Sequence, residues 1–372
     1  MIAPPRIRSP SAMRWRNLSL DWKIALLPRR AGEKGGPASG RGNERRIVVS
    51  RTWFGCLLIV FHLLAATAVA EPTIRIASLR YGTLSWQLEV IAKHGLDKQE
   101  GIRVEPLELA ATPAAQLALQ AGSVDLIVSD WLWVSRQRAE GGDLTSIPFS
   151  SAIGALIVPA ASPIRDVAGL AGQRLGLAGS AIDKSWLVLR LYARKQLGVD
   201  LDALVRKSFG APPLLSEELA AGRLDAVLTY WPFAAKLEAR GMRRLLSIGE
   251  ALAALGITGD LPLTCYVVSA RWAAENQPAL DGFIGASRAA NAILATSDAE
   301  WERIAPLTGA ADAAELIKLR DAYREGIPRR WTAAERESAA RLYGLLAEIG
   351  GTALVGSSPV LVPGTFLDRV QY

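Results

Sequence analysis

Short apolar runs alternate with stretches of helical periodicity from Glu71 onward, and this alternation constrains the fold more than any other feature of the sequence. The pattern is typical of α/β units with largely parallel sheets. Helices are expected to fill most of the gaps, and residues 271–350 are predicted to be mostly helical. We predict strands at residues 74–78, 104–109, 125–129, 155–158, 174–178, 226–229, 245–248 and 264–269.

Two stretches interrupt this alternation. Residues 160–163 follow an apolar run and precede a fresh strand, and residues 256–262 precede another strand. We interpret them as paired crossings between two lobes. On this interpretation lobe 1 comprises residues 71–160 and 262–372, lobe 2 comprises residues 161–261, and a cleft lies at the crossings. The tail, with Pro359 and Pro363, is predicted to be an extended strap.

The segment before Glu71 has the layout of an export signal. Residues 53–66 form an apolar stretch with arginines before it and Ala68-Val69-Ala70 after it. This order of a basic region, a short apolar region and small residues is that of a secretory signal peptide. We therefore predict a signal peptide at residues 45–70, cleaved before Glu71, and a periplasmic location.

An uncleaved membrane anchor is the alternative, but about 14 apolar residues are few for a span that needs roughly 20. Residues 1–44 are rich in Arg, Gly, Pro and Ser without sustained periodicity, so we predict a disordered or untranslated extension. The true start is then expected near Val48 or Val49.

Charge and cysteine usage exclude several classes of function. The chain has a formal net charge of +7, but residues 1–70 hold 12 of its 43 Lys and Arg and 3 of its 36 Asp and Glu. The remainder therefore has 31 basic and 33 acidic residues, which removes the basis for a nucleic-acid partner. After residue 70 the chain has one histidine, His94, and one cysteine, Cys265. No internal disulfide, metal site or cofactor is therefore expected, and Cys265 is predicted to be buried.

Several segments together resemble a known family. They are residues 74–77 with Tyr81-Gly82 after them, 95–104, 121–125, 164–176 and 219–226, the last being a counterpart of the turn at 121–125. In their order and spacing they resemble the periplasmic substrate-binding proteins of ABC importers for nitrate, sulfonates, taurine and thiamine precursors. The resemblance covers essentially the whole chain after Glu71.

This resemblance implies an α/β, two-lobed type II periplasmic binding protein fold that closes over a small molecule. It implies a membrane permease with a cytoplasmic ATPase as partners, and a soluble monomer after cleavage of the signal. The chain departs from the family after the third predicted strand, where Ser129-Asp130-Trp131-Leu132-Trp133 is bulkier and more acidic than a typical anion site. The ligand is therefore not transferred from the family.

Ligands of open α/β sheets lie beyond the carboxyl ends of strands, near helix N-termini. Residues in the loops after the predicted strands are thus the candidates for ligand binding. They are Arg80, Tyr81, Trp86, Thr112, Asp130, Trp131, Ser180, Thr229, Tyr230 and Trp231.

Four of these candidates, Trp86, Trp131, Tyr230 and Trp231, would form an aromatic-walled pocket suited to a flat ring or an onium group. An amine or aromatic heterocycle would use Asp130 and the indoles, whereas a sulfonate would use helix amides and Arg80. The alternative is that several of these rings pack within the lobes, and Thr112 and Ser85 are also ordinary helix caps.

Two other functions remain open. Related folds serve enzymes such as pyrimidine synthases and dehydratases, but the sequence has no nucleophile triad, phosphate loop or cluster of metal ligands, and His94 is placed near a helix end. A ligand-presenting sensor would use the same lobe closure. We expect a solute-binding protein that is not an enzyme.

Overall fold

The computed structural model describes residues 71–80, 82–259 and 261–371. The predicted extension at 1–44, the predicted signal peptide at 45–70 and the candidate Tyr81 lie outside the described residues. In chain order the elements are β1 (Thr73–Leu79), α1 (Leu84–His94), α2 (Leu96–Gln99), β2 (Arg103–Leu109), α3 (Thr112–Gln120), β3 (Leu126–Asp130), α4 (Trp131–Ala139), β4 (Leu144–Ser150), β5 (Gly154–Val158), β6 (Arg174–Ala178), α5 (Lys184–Tyr192), α6 (Leu201–Leu204), β7 (Arg206–Gly210), α7 (Pro212–Ala220), β8 (Ala226–Tyr230), α8 (Trp231–Ala239), β9 (Arg243–Ser247), α9 (Ile248–Ala254), β10 (Thr264–Ser269), α10 (Ala270–Glu275), α11 (Gln277–Thr296), α12 (Asp298–Thr308), α13 (Ala313–Glu325) and α14 (Ala333–Val355).

In the described part of the chain the strands form two five-stranded sheets, ordered β2-β1-β3-β10-β4 and β7-β6-β8-β5-β9. Within each sheet three strands are parallel: β1 pairs with β2 and β3, and β6 pairs with β7 and β8. The fourth strand, β10 or β5, runs antiparallel to both of its neighbours. The predicted α/β class is confirmed, and helices pack on both sheets.

All eight predicted strands are present, with ends that shift by at most two residues. The two strands that the sequence did not reveal are β4 and β7. Strand β7 is an edge strand of sequence RKSFG whose side chains are mostly exposed, so it carries no apolar run. Strand β4 is also an edge strand and contains Pro148, a residue that sheets tolerate at their edges.

The first predicted crossing is wrong by several residues. Strand β4 of the first sheet ends at Ser150, and β5 already pairs in the second sheet from Gly154, so the chain crosses at residues 151–153 rather than at 160–163. Residues 159–162 instead form a turn, in which the Ser162 N–H donates to the Pro159 carbonyl at 2.9 Å. The return lies between Ala254 and Thr264, close to the predicted position.

We therefore define lobe 1 by the first sheet, with residues 71–150 and 264–371, and lobe 2 by the second sheet, with residues 154–254. Helix α14 packs against α4 of lobe 1 and also against α5 of lobe 2. The C-terminal tail runs along β4, where the Ser146 N–H donates to the Thr365 carbonyl at 2.9 Å. The edge of β4 is thereby covered by backbone of the same chain.

Each lobe contains an aspartate–arginine pair at the start of a strand. In lobe 1, Asp125 accepts the backbone N–H of Arg75 at 2.9 Å and pairs with its guanidinium at 2.5 Å. In lobe 2, Asp225 accepts the backbone N–H of Arg174 at 2.8 Å and pairs with its guanidinium at 2.6 Å. Each bidentate pair fixes the start of a central strand against the turn that precedes the next parallel strand. The lobes are thus built on the same plan, which the sequence revealed only as a recurring turn.

Gly326, after α13, touches the first crossing. A methyl group on Gly326 would lie 2.5 Å from the Ala152 side chain and 2.9 Å from the Ala152 backbone nitrogen. We expect Gly326→Ala to lower the free energy of unfolding by about 1–3 kcal/mol, the usual cost of overpacking. Urea denaturation measures this change. Gly344→Ala is the control, because nothing lies within 4 Å of that position and a helical alanine should stabilise the protein by about 0.5–1 kcal/mol.

Glu300, a buried residue at the start of α12, forms an ion pair with Arg303 and contacts His94 of α1. It accepts from Arg303 at 2.7 Å, and its Oε1 lies 3.2 Å from His94 Nε2. The hydrogen bonds from Arg303 lower the pKa of Glu300 below its usual value despite burial. Because the folded pKa is depressed, this stabilisation is complete above a pH of about 4.5 and is lost as the pH falls through the folded pKa.

We expect Glu300→Gln to destabilise the protein by about 1–3 kcal/mol at pH 7, the range for hydrogen bonds to charged groups. The difference from the parent protein should shrink as the pH is lowered below about 4.5. Denaturation at pH 7 and at pH 3.5 measures both values. If Glu300→Gln lowers the free energy of unfolding equally at the two pH values, the ionised Glu300 carboxylate is not the source of the stabilisation.

None of the helices in the described residues combines the length and the apolar character that a membrane crossing requires.

Candidate functional site

A cleft of about 560 Å³ lies between the lobes, where the carboxyl ends of their parallel strands face each other. Leu79 and Asp130, at the ends of β1 and β3, line it from lobe 1. Tyr230, at the end of β8, lines it from lobe 2. Ala152 of the first crossing and Leu263 of the return also lie on its wall. A ligand here would touch both lobes and both connecting segments.

The walls of this interlobe cleft include the N-terminal ends of six helices. They are α1, α3 and α4 of lobe 1, and α5, α7 and α8 of lobe 2. The N-terminus of a helix carries unpaired N–H groups and a partial positive charge, so such ends attract anionic groups. The arrangement follows from the two repeats, since each places three strand-to-helix turns at the same edge of its sheet.

Much of this donor capacity is already used by the chain itself. Asp130 caps α4 by accepting the Trp133 N–H at 2.8 Å, and Asp183 caps α5 by accepting the Ser185 N–H at 2.9 Å. Proline occupies the first turn of α3, α7 and α8, where it removes a donor. A bare anion therefore finds fewer free amides here than six helix ends would otherwise provide.

An ion pair spans the cleft. Lys184 Nζ, on lobe 2, lies 3.1 Å from Asp130 Oδ2, on lobe 1, and both side chains are largely buried. Burial acts to lower the pKa of Lys184, but the carboxylates of Asp130 and Asp183 outweigh it, so this pKa is raised above its usual value. The ammonium is therefore charged at neutral pH, and the two lobes are joined by opposite charges.

Tyr230 completes this polar group. Its hydroxyl donates to Asp183 Oδ2 at 3.2 Å, so both oxygens of Asp183 have a partner within lobe 2. Burial, together with the nearby Asp183 carboxylate, raises the pKa of Tyr230 well above its usual value. The hydroxyl thus stays protonated and remains a donor throughout the physiological range.

Four of the predicted site residues line the interlobe cleft together: Thr112, Asp130, Tyr230 and Trp231. Two others, Arg80 and Trp86, line a neighbouring cavity of about 420 Å³. In that cavity Lys236 of α8 donates to the Thr308 carbonyl at 3.1 Å and thereby ties lobe 2 to the end of α12. Arg80 is exposed and pairs with Glu108 at 2.9 Å.

The structure corrects the prediction for three further residues. Trp131 is 0% exposed, and its indole Nε1 donates to the Pro262 carbonyl at 2.9 Å within a core cluster. Thr229 is 1% exposed and is not among the residues that line the cleft. Ser180 lies exposed on the loop after β6, outside the cleft lining. Trp86 is also mostly core, since it packs against Trp301 with ring centroids 5.8 Å apart.

Sequence reasoning missed Lys184 and the rings of Phe149 and Phe233, all of which line the cleft. Lys184 is the first residue of α5 and directly follows the capping Asp183. This position, at the start of a helix that follows a strand, is the sequence signal that could have identified it. Phe149 lies in β4, a strand that the sequence did not predict, so nothing marked it as a wall. Cys265 is buried as predicted, and burial raises the pKa of its thiol.

Comparison with known proteins identifies the relatives of this chain. The family model described as NMT1/THI5 like matches residues 90–299. No curated protein matches the sequence.

Solved structures with this fold include the alkanesulfonate-binding protein SsuA from Xanthomonas axonopodis pv. citri bound to MOPS, with a TM-score of 0.63 and 21% identity over 81% of this chain and 100% of that chain. The periplasmic aliphatic sulphonate binding protein SsuA from Escherichia coli aligns with a TM-score of 0.64 and 21% identity over 81% of this chain and 93% of that one. The Candida albicans CA3427 gene product, described as having the generic periplasmic binding protein fold, aligns with a TM-score of 0.54 and 15% identity over 77% and 92% of the two chains. The two-lobed binding-protein fold is thereby confirmed.

Proposed function

Because this chain belongs to the NMT1/THI5-like family, we propose that it is the extracytoplasmic solute-binding component of an ABC importer. It captures a small organic molecule outside the cytoplasmic membrane and delivers it to a permease that works with a cytoplasmic ATPase. The SsuA protein of Escherichia coli, which shares its fold, is a periplasmic binding protein, and this supports the same location for this chain.

The observation that carries this proposal is the construction of the interlobe cleft. Equivalent strand ends from two repeated lobes face one space, and two crossing segments border it. A ligand that contacts both lobes favours the closed conformation by its differential affinity, and crossings of this kind serve as hinges for domain closure. A permease can then distinguish the closed, loaded protein from the empty one.

The ligand is best described as an amine or an aromatic heterocycle rather than a simple sulfonate. Tyr230, Trp231 and Phe233 supply ring surface on the lobe 2 side of the cleft. Aromatic rings stack on flat ligands and attract organic cations. Five of the six helix ends at the cleft have lost donors to Asp130, Asp183 or a proline, so a sulfonate alone is poorly served.

A catalytic function finds less support. His94 lies at the end of α1 beside Glu300, and it is not among the residues that line the interlobe cleft. The charged groups of the cleft are engaged with helix ends and with one another, as a binding site requires, and do not pair a base with a nucleophile.

A thermal-shift screen tests the proposed function. The protein is expressed as the full chain, purified from the periplasmic fraction, and heated with a panel of amines, aromatic heterocycles, pyrimidines, sulfonates and metal chelates. A ligand that binds the folded state raises the unfolding midpoint by linkage, and a compound at one hundred times its Kd adds about 2.7 kcal/mol. Absence of any shift across the panel, or turnover of a bound compound, would contradict a solute-binding role.

A further inference from the structure

The charged groups on the walls of the interlobe cleft are arranged by lobe. Asp130 stands on the lobe 1 side, and Lys184 and Asp183 stand on the lobe 2 side. Asp130 and Lys184 approach each other across the space that a ligand would enter, with 3.1 Å between Nζ and Oδ2. A ligand that bridges the lobes at this point must therefore separate them.

Separation would leave both charges in need of new partners. The other oxygen of Asp130 already accepts the Trp133 N–H, and each oxygen of Asp183 already accepts one hydrogen bond, from Ser185 or Tyr230. Within the described residues, the Lys184 ammonium donates a hydrogen bond to Asp130. A buried charge that loses its partner is strongly destabilising.

Cationic, anionic and zwitterionic ligands differ in which charged group of the cleft they leave without a partner. A simple cation would pair with Asp130 but strand the Lys184 ammonium, and a simple anion would pair with Lys184 but strand the Asp130 carboxylate. A ligand that carries both charges satisfies both groups and leaves the charge of the cleft unchanged.

We propose that the ligand is a zwitterion whose ammonium group binds Asp130 and whose carboxylate or sulfonate binds Lys184, with an aromatic or apolar body against Phe149, Trp231 and Phe233. This inference rests on the proposed function and specifies its ligand. Asp130 and Lys184 are then the specificity-determining pair. In the empty protein the Lys184 ammonium occupies the position of the ligand ammonium, and the Asp130 carboxylate occupies the position of the ligand anion.

Matched triads of ligands test the proposal. The exported protein is titrated with L-phenylalanine, 2-phenylethylamine and 3-phenylpropionate, and with 4-(aminomethyl)benzoate, benzylamine and benzoate. We expect at least one zwitterion to bind at least tenfold more tightly than its singly charged partners. If a singly charged member binds as tightly as its zwitterion, or if neither zwitterion binds, the proposal is overturned. The first of these results leaves the solute-binding function intact, and after the second that function is decided by the wider screen described above.

Two variants assign the roles within the pair. Lys184→Met should weaken the zwitterion at least tenfold and bring its affinity level with that of the matching amine, whereas Lys184→Arg should keep the original order. Asp130→Asn retains a helix cap and should bring the zwitterion level with the matching acid. Lys195→Met, at an exposed position outside the cleft, is the matched control and should change nothing. An unchanged order of affinities in Lys184→Met would refute the assignment.

Discussion

Replacing Trp131 with alanine should lower the free energy of unfolding of the empty protein by about 3–5 kcal/mol, the range for truncating a buried tryptophan. The indole is 0% exposed and packs against Tyr343 of α14 and Phe366 of the tail, with ring centroids 6.3 Å and 5.7 Å away. Its Nε1 also donates to the Pro262 carbonyl at 2.9 Å, so the variant leaves a buried acceptor unpaired as well as a cavity.

Urea denaturation of the ligand-free protein measures this loss. Leu117→Ala is the matched control, because Leu117 is an exposed hydrophobic residue on α3 and its truncation should change stability by less than about 0.5 kcal/mol. A Trp131→Ala variant with nearly unchanged stability but weakened ligand binding would restore Trp131 to the binding site.

Replacing Trp231 with alanine should instead act mainly on binding, weakening the ligand by about tenfold or more, which corresponds to about 1.4 kcal/mol for each factor of ten. Trp231 is half-buried and forms part of the cleft wall. Its ring meets Trp86 and Tyr323 of lobe 1 at centroid distances of 5.8 Å and 6.3 Å. The variant therefore removes ring surface from the ligand and also a contact that holds the lobes in register.

Calorimetric titration with the ligand found by the screen measures the change in affinity. Trp272→Ala is the control, since Trp272 is a partly buried indole on α10 outside the cleft lining and should affect stability alone. Equal losses of affinity in the two variants would mean that the effect is a general consequence of destabilisation and would remove Trp231 from the site.

The contrast between these two tryptophans marks the limit of what the sequence can tell. Trp131 and Trp231 each begin the helix that follows the third parallel strand of a lobe, so the local pattern around them is the same. Their burial differs because α14 and the tail cover Trp131, and those segments are more than two hundred residues further along the chain. The residue type and its position at a strand end predict a candidate for ligand binding. Whether that residue is buried or faces the cleft depends on the packing of segments distant in sequence.

The fold was predictable where apolar runs mark strands. Both sheets have central strands of this kind, and the turn at residues 121–125 with its counterpart at 219–226 marks the repeat. The sequence did not reveal the edge strands β4 and β7, because an edge strand needs no continuous apolar run. The first crossing was misplaced for the same reason. Because β4 was not predicted, the apolar run at 155–158 is interpreted from the sequence as the last strand of lobe 1 before the crossing, although it belongs to the second sheet.

The site was predictable to a similar depth. Reading the loops after strands identified Thr112, Asp130, Tyr230 and Trp231, because parallel strands bring their carboxyl ends to one edge. The partner of Asp130 was not predictable, since Lys184 lies 54 residues away on the other lobe and the pairing depends on how the lobes meet.

The nesting of the second lobe within the first fixes an order of assembly. Residues 154–254 contain β5 to β9, so the second sheet can form as soon as that segment is available. The first sheet cannot, because β10 must enter between β3 and β4, and the unpaired edges of those two strands stay open until it arrives. Pairings between segments so distant in sequence are slow to form. Folding of the chain should therefore be completed at its first lobe, and open strand edges of this kind are the surface that a folding chaperone would have to shield.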